Sequence, residues 1–304
     1  MTTGEEWAVR PGATGGRGLA SAPGFGELIR ISGPNGAWDR VVDDLNTYGA
    51  ALLYALLRDW RPDQAGAPRL RALLGRDWAR YLELTNPEVR ARYAASRVLL
   101  KYAAAAVLKV PAHAIELCYG PTGRPYLRGY DAVDISLSHT DELLLIGVTT
   151  RGVIGVDAER ADRLMYQRGL GKHVCTPHEA RMLEELPPED RNDKLIRIWT
   201  LKEAYSKAIG QGMQFRFTDF GFAGASGRAT LFRPDGEEGT GAEWEFRTYT
   251  IGGEYVVSAA VGDRGFGGTE DTAADTMLDP GLVDALTEAL GADDPYADDS
   301  GDDW

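Results

Sequence analysis

The chain has 304 residues, 43% hydrophobic and 26% charged, the balance of a globular protein with one large or two smaller folded units. Its net charge of −13 sits at one end: residues 263–304 hold 13 acidic side chains and one basic one, leaving 33 acids against 32 bases elsewhere. A near-neutral body argues against nucleic acid as partner, and no apolar run approaches the ~18 residues of a membrane-spanning helix.

In chain order, residues 1–24 are rich in Gly, Ala, Ser and Thr and read as a flexible extension. They contain no continuous apolar leader, so Cys118 and Cys175 are expected to be reduced thiols in a cytoplasmic protein. Two cysteines without Cys-x-x-Cys spacing, and four histidines without His-Glu-x-x-His spacing, speak against zinc. Residues 38–60 carry Val42, Leu45, Tyr48, Leu52 and Leu56 at helical spacing, which predicts a helix. A second helix is predicted over 86–110, capped by Asn86, opened by Pro87 and stopped by Pro111. The period then changes. Residues 134–159 read as consecutive strands with a turn at Thr150–Gly152, 160–195 as mostly helical, and 194–212 as a strong helix ended by Gly210 or Gly212. Residues 243–262 read as strand, Gly-Gly turn and strand. Helix followed by strands thus occurs twice, which suggests two related α+β lobes, 25–152 and 153–262. The tail, 263–304, has one predicted helix at 279–292, started by Asp279 and Pro280 and ended by Gly291; the rest of it is acidic.

Four segments could carry chemistry. In "VIGVDAER" (153–160), strand alternation puts Ile154, Val156 and Ala158 on one face and Gly155, Asp157 and Glu159 on the other. Neighbouring carboxylates repel unless a cation lies between them, and hard oxygens of this kind suit Mg²⁺. Alone, the same pattern describes a strand becoming polar as it reaches solvent. In "IWTLKEAYSKAIG" (198–210), Glu203 and Lys207 share a helix face and Lys202 lies beside it. This is either a surface ion pair or an acid flanked by two phosphate-binding lysines. "SLSHT" (136–140) brings Ser138 and His139 to a strand end, and "PTGRPYL" (121–127) presents Arg124 from a turn; an anion contact and a plain structural role are both open for these.

Taken together and in this order, the segments resemble the 4′-phosphopantetheinyl transferases, in the larger, two-lobed class typified by the surfactin-synthetase enzyme. The matching segments are "GRP" (123–125), "SLSHT", "GVDAER" (155–160) and "WTLKEAYSKAIGQG" (199–212), with "CTPHEARML" (175–183) as a weaker one in which Cys175 stands where an aromatic is usual. The likeness covers roughly residues 80–262. It implies a pseudo-dimer of two similar α+β lobes with the active site at their interface. It also implies transfer of 4′-phosphopantetheine from coenzyme A to a serine of an apo acyl or peptidyl carrier protein, with adenosine 3′,5′-bisphosphate released and Mg²⁺ as metal. Such an enzyme would activate fatty-acid, polyketide or nonribosomal-peptide synthases. Residue by residue, Asp157, Glu159 and Glu203 match the metal-binding acids, Glu203 also being the base for the carrier serine. Lys202 and Lys207 match lysines at the phosphates. Arg97, Arg124, Ser138 and His139 match residues near the nucleotide, with Arg90 and Arg92 as weaker matches there. Val98 stands where the family often has Thr. A pseudo-dimer within one chain implies a monomer. The rival readings are a metal-dependent nuclease, which lacks the basic body, and a non-catalytic carrier-binding module, which has no need of the intact acid and lysine set. The acidic tail could compete for the carrier's site or serve solubility.

Overall fold

The computed structural model describes residues 24–62, 66–211, 216–223, 227–237, 239 and 243–263. The expected N-terminal extension through residue 23, and the acidic tail from residue 264 with its predicted helix at 279–292, lie outside them.

The N-terminal lobe contains β1 (Ile29–Arg30), α1 (Trp38–Tyr48), β2 (Ala50–Leu56), α2 (Ala67–Leu74), α3 (Asp77–Glu83), α4 (Pro87–Leu108), β3 (Leu117–Tyr119), β4 (Pro125–Leu127), β5 (Asp134–Thr140) and β6 (Leu143–Thr149). The C-terminal lobe contains β7 (Val153–Arg160), α5 (Gly171–Val174), α6 (Pro177–Glu185), α7 (Arg191–Ala208), β8 (Gly221–Ala223), β9 (Arg228–Phe232), β10 (Trp244–Ile251) and β11 (Tyr255–Gly262). One sheet has the order β1-β2-β6-β5, the other β7-β11-β10-β9-β8, and β3 and β4 form a separate pair.

The predicted helix over 38–60 is corrected. It ends at Tyr48, where Gly49 adopts a left-handed conformation and caps Leu45, and residues 50–56 form a strand. An apolar run such as "AALLYAL" suits either state. Here it is buried between two neighbours, with β1 on one edge and β6 on the other. The predicted helix over 86–110 forms as α4, and Asn86 accepts hydrogen bonds from the Glu88 and Val89 amides at its start. The helix predicted over 194–212 begins earlier, at Arg191, and stops at Ala208. The segment 161–170 is irregular rather than helical.

The two sheets pack face to face, with helices outside. Leu143 and Leu145 of β6 and Ala50 and Leu52 of β2 meet Ile154, Val156 and Ala158 of β7 and Val257, Ala259 and Val261 of β11 in a shared core. The opposite face of the first sheet, with Leu144, Ile146 and Val148, buries the Ala- and Leu-rich face of α4. The opposite face of the second, with Ala260, receives Leu201, Ala204 and Ala208 of α7. Being covered on both sides, β6 and β11 read as continuous apolar runs rather than alternating ones.

Where the lobes meet, two edge strands face each other without a backbone ladder. Three alternate side chains of β5 take its place. Asp134, Ser136 and Ser138 accept hydrogen bonds from the backbone amides of Ile154, Val156 and Ala158 at 2.8, 3.0 and 3.3 Å. The period of two aligns the side chains of one strand with the amides of the other, so the unpaired edge of β7 is satisfied inside the protein.

Candidate active site

Strand β7 places its two acids as alternation requires. Ile154, Val156 and Ala158 enter the shared core, while Gly155, Asp157 and Glu159 face α7. Gly155 is needed there: a Cβ on it would stand 1.8 Å from the Ala204 carbonyl oxygen. The helix therefore lies on the strand backbone at Gly155, and the next two acids of that face project beside Glu203 and Lys207.

These residues line a cleft of about 500 Å³ at the lobe junction, together with Arg97 of α4, Ser138, His139 and Thr140 of β5, Arg163, Trp199 of α7 and the β3–β4 pair. Lys207 donates to Asp157 Oδ1 at 2.6 Å, to Ser138 Oγ at 3.2 Å and to the Val156 carbonyl at 3.2 Å. Ser138 Oγ donates to the same Asp157 oxygen at 2.9 Å. Glu159 is ion-paired with Arg163 and accepts from the Arg160 amide at 2.9 Å. Glu203 enters none of these ion pairs. Burial, then the charge of Asp157, push its carboxyl above the usual carboxylate range, and Lys207 opposes the shift. On the other wall, burial among neighbouring side chains, then the charges of Arg97, Arg92 and Lys207, hold the His139 imidazole below its usual pKa, although the residue as a whole is exposed. The cleft is thus divided into a carboxylate end, formed by the C-terminal lobe, and an anion-binding end where Arg97 and Lys207 supply charge and Ser138 and His139 of β5 supply polar groups.

The expected metal set can be tested against these positions. Among the described residues no three of His, Cys, Asp and Glu stand close enough to hold an ion as they are. Asp157 and Glu203 are near enough to repel, and Arg163 holds Glu159. The donor set fits Mg²⁺ in kind: hard carboxylate oxygens, two of which raise each other's energy with no ion between them. The full triad does not converge while Arg163 occupies Glu159.

Of the residues matched to phosphate or nucleotide contacts, Lys202, Arg124, Arg90 and Arg92 are absent from the cleft lining. Lys202 is fully buried on the far side of α7, with 0% side-chain exposure, and is absent from the cleft lining. Its ammonium donates to Glu179 at 2.6 Å and to the Val174 and Phe217 carbonyls at 2.7 and 2.5 Å. Burial lowers its pKa, and Glu179 opposes that. Glu179 also accepts from the Phe222 and Thr176 amides. This lysine therefore ties α7, α6 and the chain around 217–222 together. Arg124 is the second correction. It pairs in bidentate fashion with Asp134 at 2.8 and 2.6 Å and donates to the Lys207 and Ile154 carbonyls, each at 2.8 Å. It clamps β5, β7 and the end of α7 rather than facing the cleft. Arg90 stacks over Tyr81, and Val98 is buried in the α4 core, so neither reaches the cleft.

Sequence reasoning missed Asp134, Glu179, Arg163 and Trp199. Asp134 had a signal, because it stands two residues before Ser136 on the same strand face. Glu179 had one as well: Thr176-Pro-His-Glu179 forms a capping box at the start of α6. Trp199 opens the matching segment 199–212, whereas Arg163 carried none.

Residues 153–260, which supply β7, α7 and β11, match the family model described as the 4′-phosphopantetheinyl transferase superfamily. A putative 4′-phosphopantetheinyl transferase of Synechocystis sp. is 31% identical over 154 residues, 50% of this chain and 63% of that protein. The 4′-phosphopantetheinyl transferase HetI of Nostoc sp. is 33% identical over 130 residues, 42% of this chain and 55% of that one. A 4′-phosphopantetheinyl transferase of Bacillus subtilis is 23% identical over 56% of this chain and 73% of its own. The matched stretch spans less than two thirds of the first two relatives.

Proposed function

We propose, since residues 153–260 match the 4′-phosphopantetheinyl transferase superfamily model and the relatives that the chain resembles carry that name, that it transfers 4′-phosphopantetheine from coenzyme A to a serine hydroxyl of an apo acyl or peptidyl carrier protein. The observation that carries the proposal is the meeting of Asp157, Glu203, Lys207, Ser138, His139 and Arg97 in one cleft between the lobes. These residues come from β5, β7, α4 and α7, elements distant in the chain, and they combine acids with anion-binding cations.

In the proposed reaction the carrier serine attacks the phosphorus that bears the pantetheine arm. The new serine O–P bond forms as the bridging P–O bond of the pyrophosphate breaks, and adenosine 3′,5′-bisphosphate leaves. The serine proton goes to Glu203. Asp157 and Glu159 are held in ion pairs by Lys207 and Arg163, which leaves Glu203 as the cleft carboxylate placed to take it. Lys207, Arg97 and His139 face the phosphates and stabilise the charge that gathers on the leaving group. Lys207 is anchored on Ser138 and the Val156 carbonyl, so its ammonium is positioned before substrate arrives. Asp157 and Glu203 would hold Mg²⁺, the proposed metal, with Glu159 available to it once free of Arg163, and the ion would neutralise pyrophosphate oxygens. Both lobes of the site belong to one chain, which supports a monomer as the working unit. Among the described residues no helix is long and apolar enough to cross a membrane, in keeping with the proposed action on carrier proteins in the cytoplasm.

The test is intact-mass measurement of a panel of apo-carriers incubated with the protein, coenzyme A and Mg²⁺. The expected result is a gain of one phosphopantetheine arm on the carrier serine, together with equimolar adenosine 3′,5′-bisphosphate. A panel left unmodified would count against the proposal, and cleavage of a nucleic acid by the same preparation would favour the nuclease reading.

A further inference from the structure

Asp77 is the first residue of α3, is 5% exposed and does not line the cleft. A buried carboxylate away from the site needs an explanation, because taking such a group out of water costs several kcal/mol unless it is bonded. Its Oδ1 accepts two hydroxyls, Tyr93 at 2.8 Å and Tyr119 at 2.7 Å. Its Oδ2 is buried and has no hydrogen-bond partner.

The two tyrosines have a second neighbour in common. The Arg97 guanidinium lies 4.3 Å from the centroid of the Tyr93 ring and 5.9 Å from that of Tyr119. Tyr93, Arg97 and Lys101 are spaced by four along α4, so they form one stripe of that helix. Lys101 at the far end is 2% exposed, bonds the Leu74 carbonyl at 3.4 Å, and feels the Asp77 charge opposing the fall in its pKa that burial causes. Arg97 itself lines the cleft, where its charge contributes to the lowered pKa of His139. Within the protein it donates to Ser96 Oγ at 3.0 Å, and its Nε is buried without a partner. Besides Ser96, its neighbours are the two tyrosines, through their rings and their hydroxyls.

A phenol that donates to a carboxylate has its ring plane fixed and its π face made more electron-rich, and both effects strengthen the hold of that face on a cation. The network acts in that direction here. Asp77 also raises the Tyr93 pKa, to about 12, after burial as the first cause, so the hydroxyl remains a donor at every working pH. We propose that Asp77 is a positioning residue for the anion-binding wall of the cleft: through the Tyr93 and Tyr119 hydroxyls it holds Arg97 in the orientation that receives a phosphate of the substrate. The inference rests on the proposed function for the identity of the anion. It does not need it for the geometry.

The test is a double-mutant cycle read by calorimetric titration with two probes, coenzyme A and inorganic pyrophosphate. Asp77→Asn keeps the shape and one acceptor but removes the charge. It is expected to weaken both probes by about five- to tenfold, the size of a partly buried cation–π contact. In an Arg97→Ala background the same substitution should change affinity by less than about twofold, because a residue that acts through Arg97 has nothing left to act on. A merely structural role would give the same loss in both backgrounds, and that result overturns the inference, as would an unchanged affinity in Asp77→Asn. If Asp77→Asn does not fold, Tyr119→Phe replaces it: a loss of about threefold is expected with Arg97 present and none without it, and the opposite pattern overturns the inference. A wild-type protein that binds pyrophosphate but not coenzyme A would defeat the proposed function, with the role of Asp77 then decided on pyrophosphate. Binding of neither probe defeats both.

Discussion

Helix α7 carries two lysines five residues apart, each ion-paired with a carboxylate at 2.6 Å, in two different surroundings. Lys202 and Glu179 are sealed, with side-chain exposures of 0% and 1%, and their remaining bonds go to backbone groups of the same lobe. Lys207 and Asp157 stand in an open cleft, with exposures of 28% and 10%, next to a hydroxyl and a second acid. Equal distances therefore do not mean equal roles. The sealed pair has no capacity left for a ligand and serves the fold. The open pair can exchange partners, and an arriving phosphate or cation can take the place of either member.

The largest expected effect comes from breaking the sealed pair. Lys202→Met leaves Glu179 as an uncompensated buried charge, a loss of about 3–5 kcal/mol, and the unfolding midpoint in urea should fall accordingly. Replacing both partners, Lys202→Met with Glu179→Leu, should recover only part of that loss, because the buried charge is gone but the Thr176 and Phe222 amides and the Val174 and Phe217 carbonyls lose their partners. If Lys202→Met unfolds like wild type and loses only transfer activity, Lys202 belongs to the cleft after all and the comparison fails. The open pair should behave in the opposite way. Lys207→Met is expected to lower kcat/KM for transfer by about a hundredfold or more, while shifting the unfolding free energy by no more than about 1 kcal/mol, as for a partly exposed ion pair.

Two smaller effects sharpen the picture of the open cleft. Arg163→Gln frees Glu159, so Mn²⁺ measured by electron paramagnetic resonance should bind about two- to fivefold more tightly, the value of one partly exposed ion pair; unchanged binding would remove Glu159 from the metal set. His139 gives a pH test. Its folded-state pKa lies below the usual 6.5, so the unfolded chain takes up the proton first as pH falls. Stability should therefore decline from about pH 6.5 downward and level off below the folded-state pKa. The decline should be smaller in His139→Gln. Parallel stability–pH curves for the two proteins would show that the imidazole is not held neutral by Arg97, Arg92 and Lys207.

What the sequence revealed, and what it concealed, follows the same division. The two acids of β7 were legible because alternation along a strand is local; that Gly155 admits the close approach of α7 was not. The twofold order of helix and strands was legible for the same reason. The difference between Lys202 and Lys207 was not. Glu179 reaches Lys202 from 23 residues earlier and Phe217 from 15 residues later, so burial of one side of α7 depends on elements that helix periodicity does not describe. Arg124 was misplaced for a similar reason: its partners, Asp134 and two carbonyls, gather only when the lobes meet. The strand over 50–56 was hidden in an apolar run that fits a helix equally well, with Gly49 as the one local sign of the break. Asp77 sits in no motif; its role emerges from contacts among α3, α4 and β3.

The central claim is that the open cleft between β7 and α7 transfers phosphopantetheine with Glu203 as the base. Its most direct test pairs Glu203→Gln with wild type, following labelled pantetheine from coenzyme A onto an apo-carrier and measuring urea unfolding of both proteins. The account predicts a loss of transfer of about a hundredfold or more with the unfolding midpoint retained or raised, because the variant removes a carboxylate repelled by Asp157. Transfer at the wild-type rate by a folded Glu203→Gln protein would contradict it.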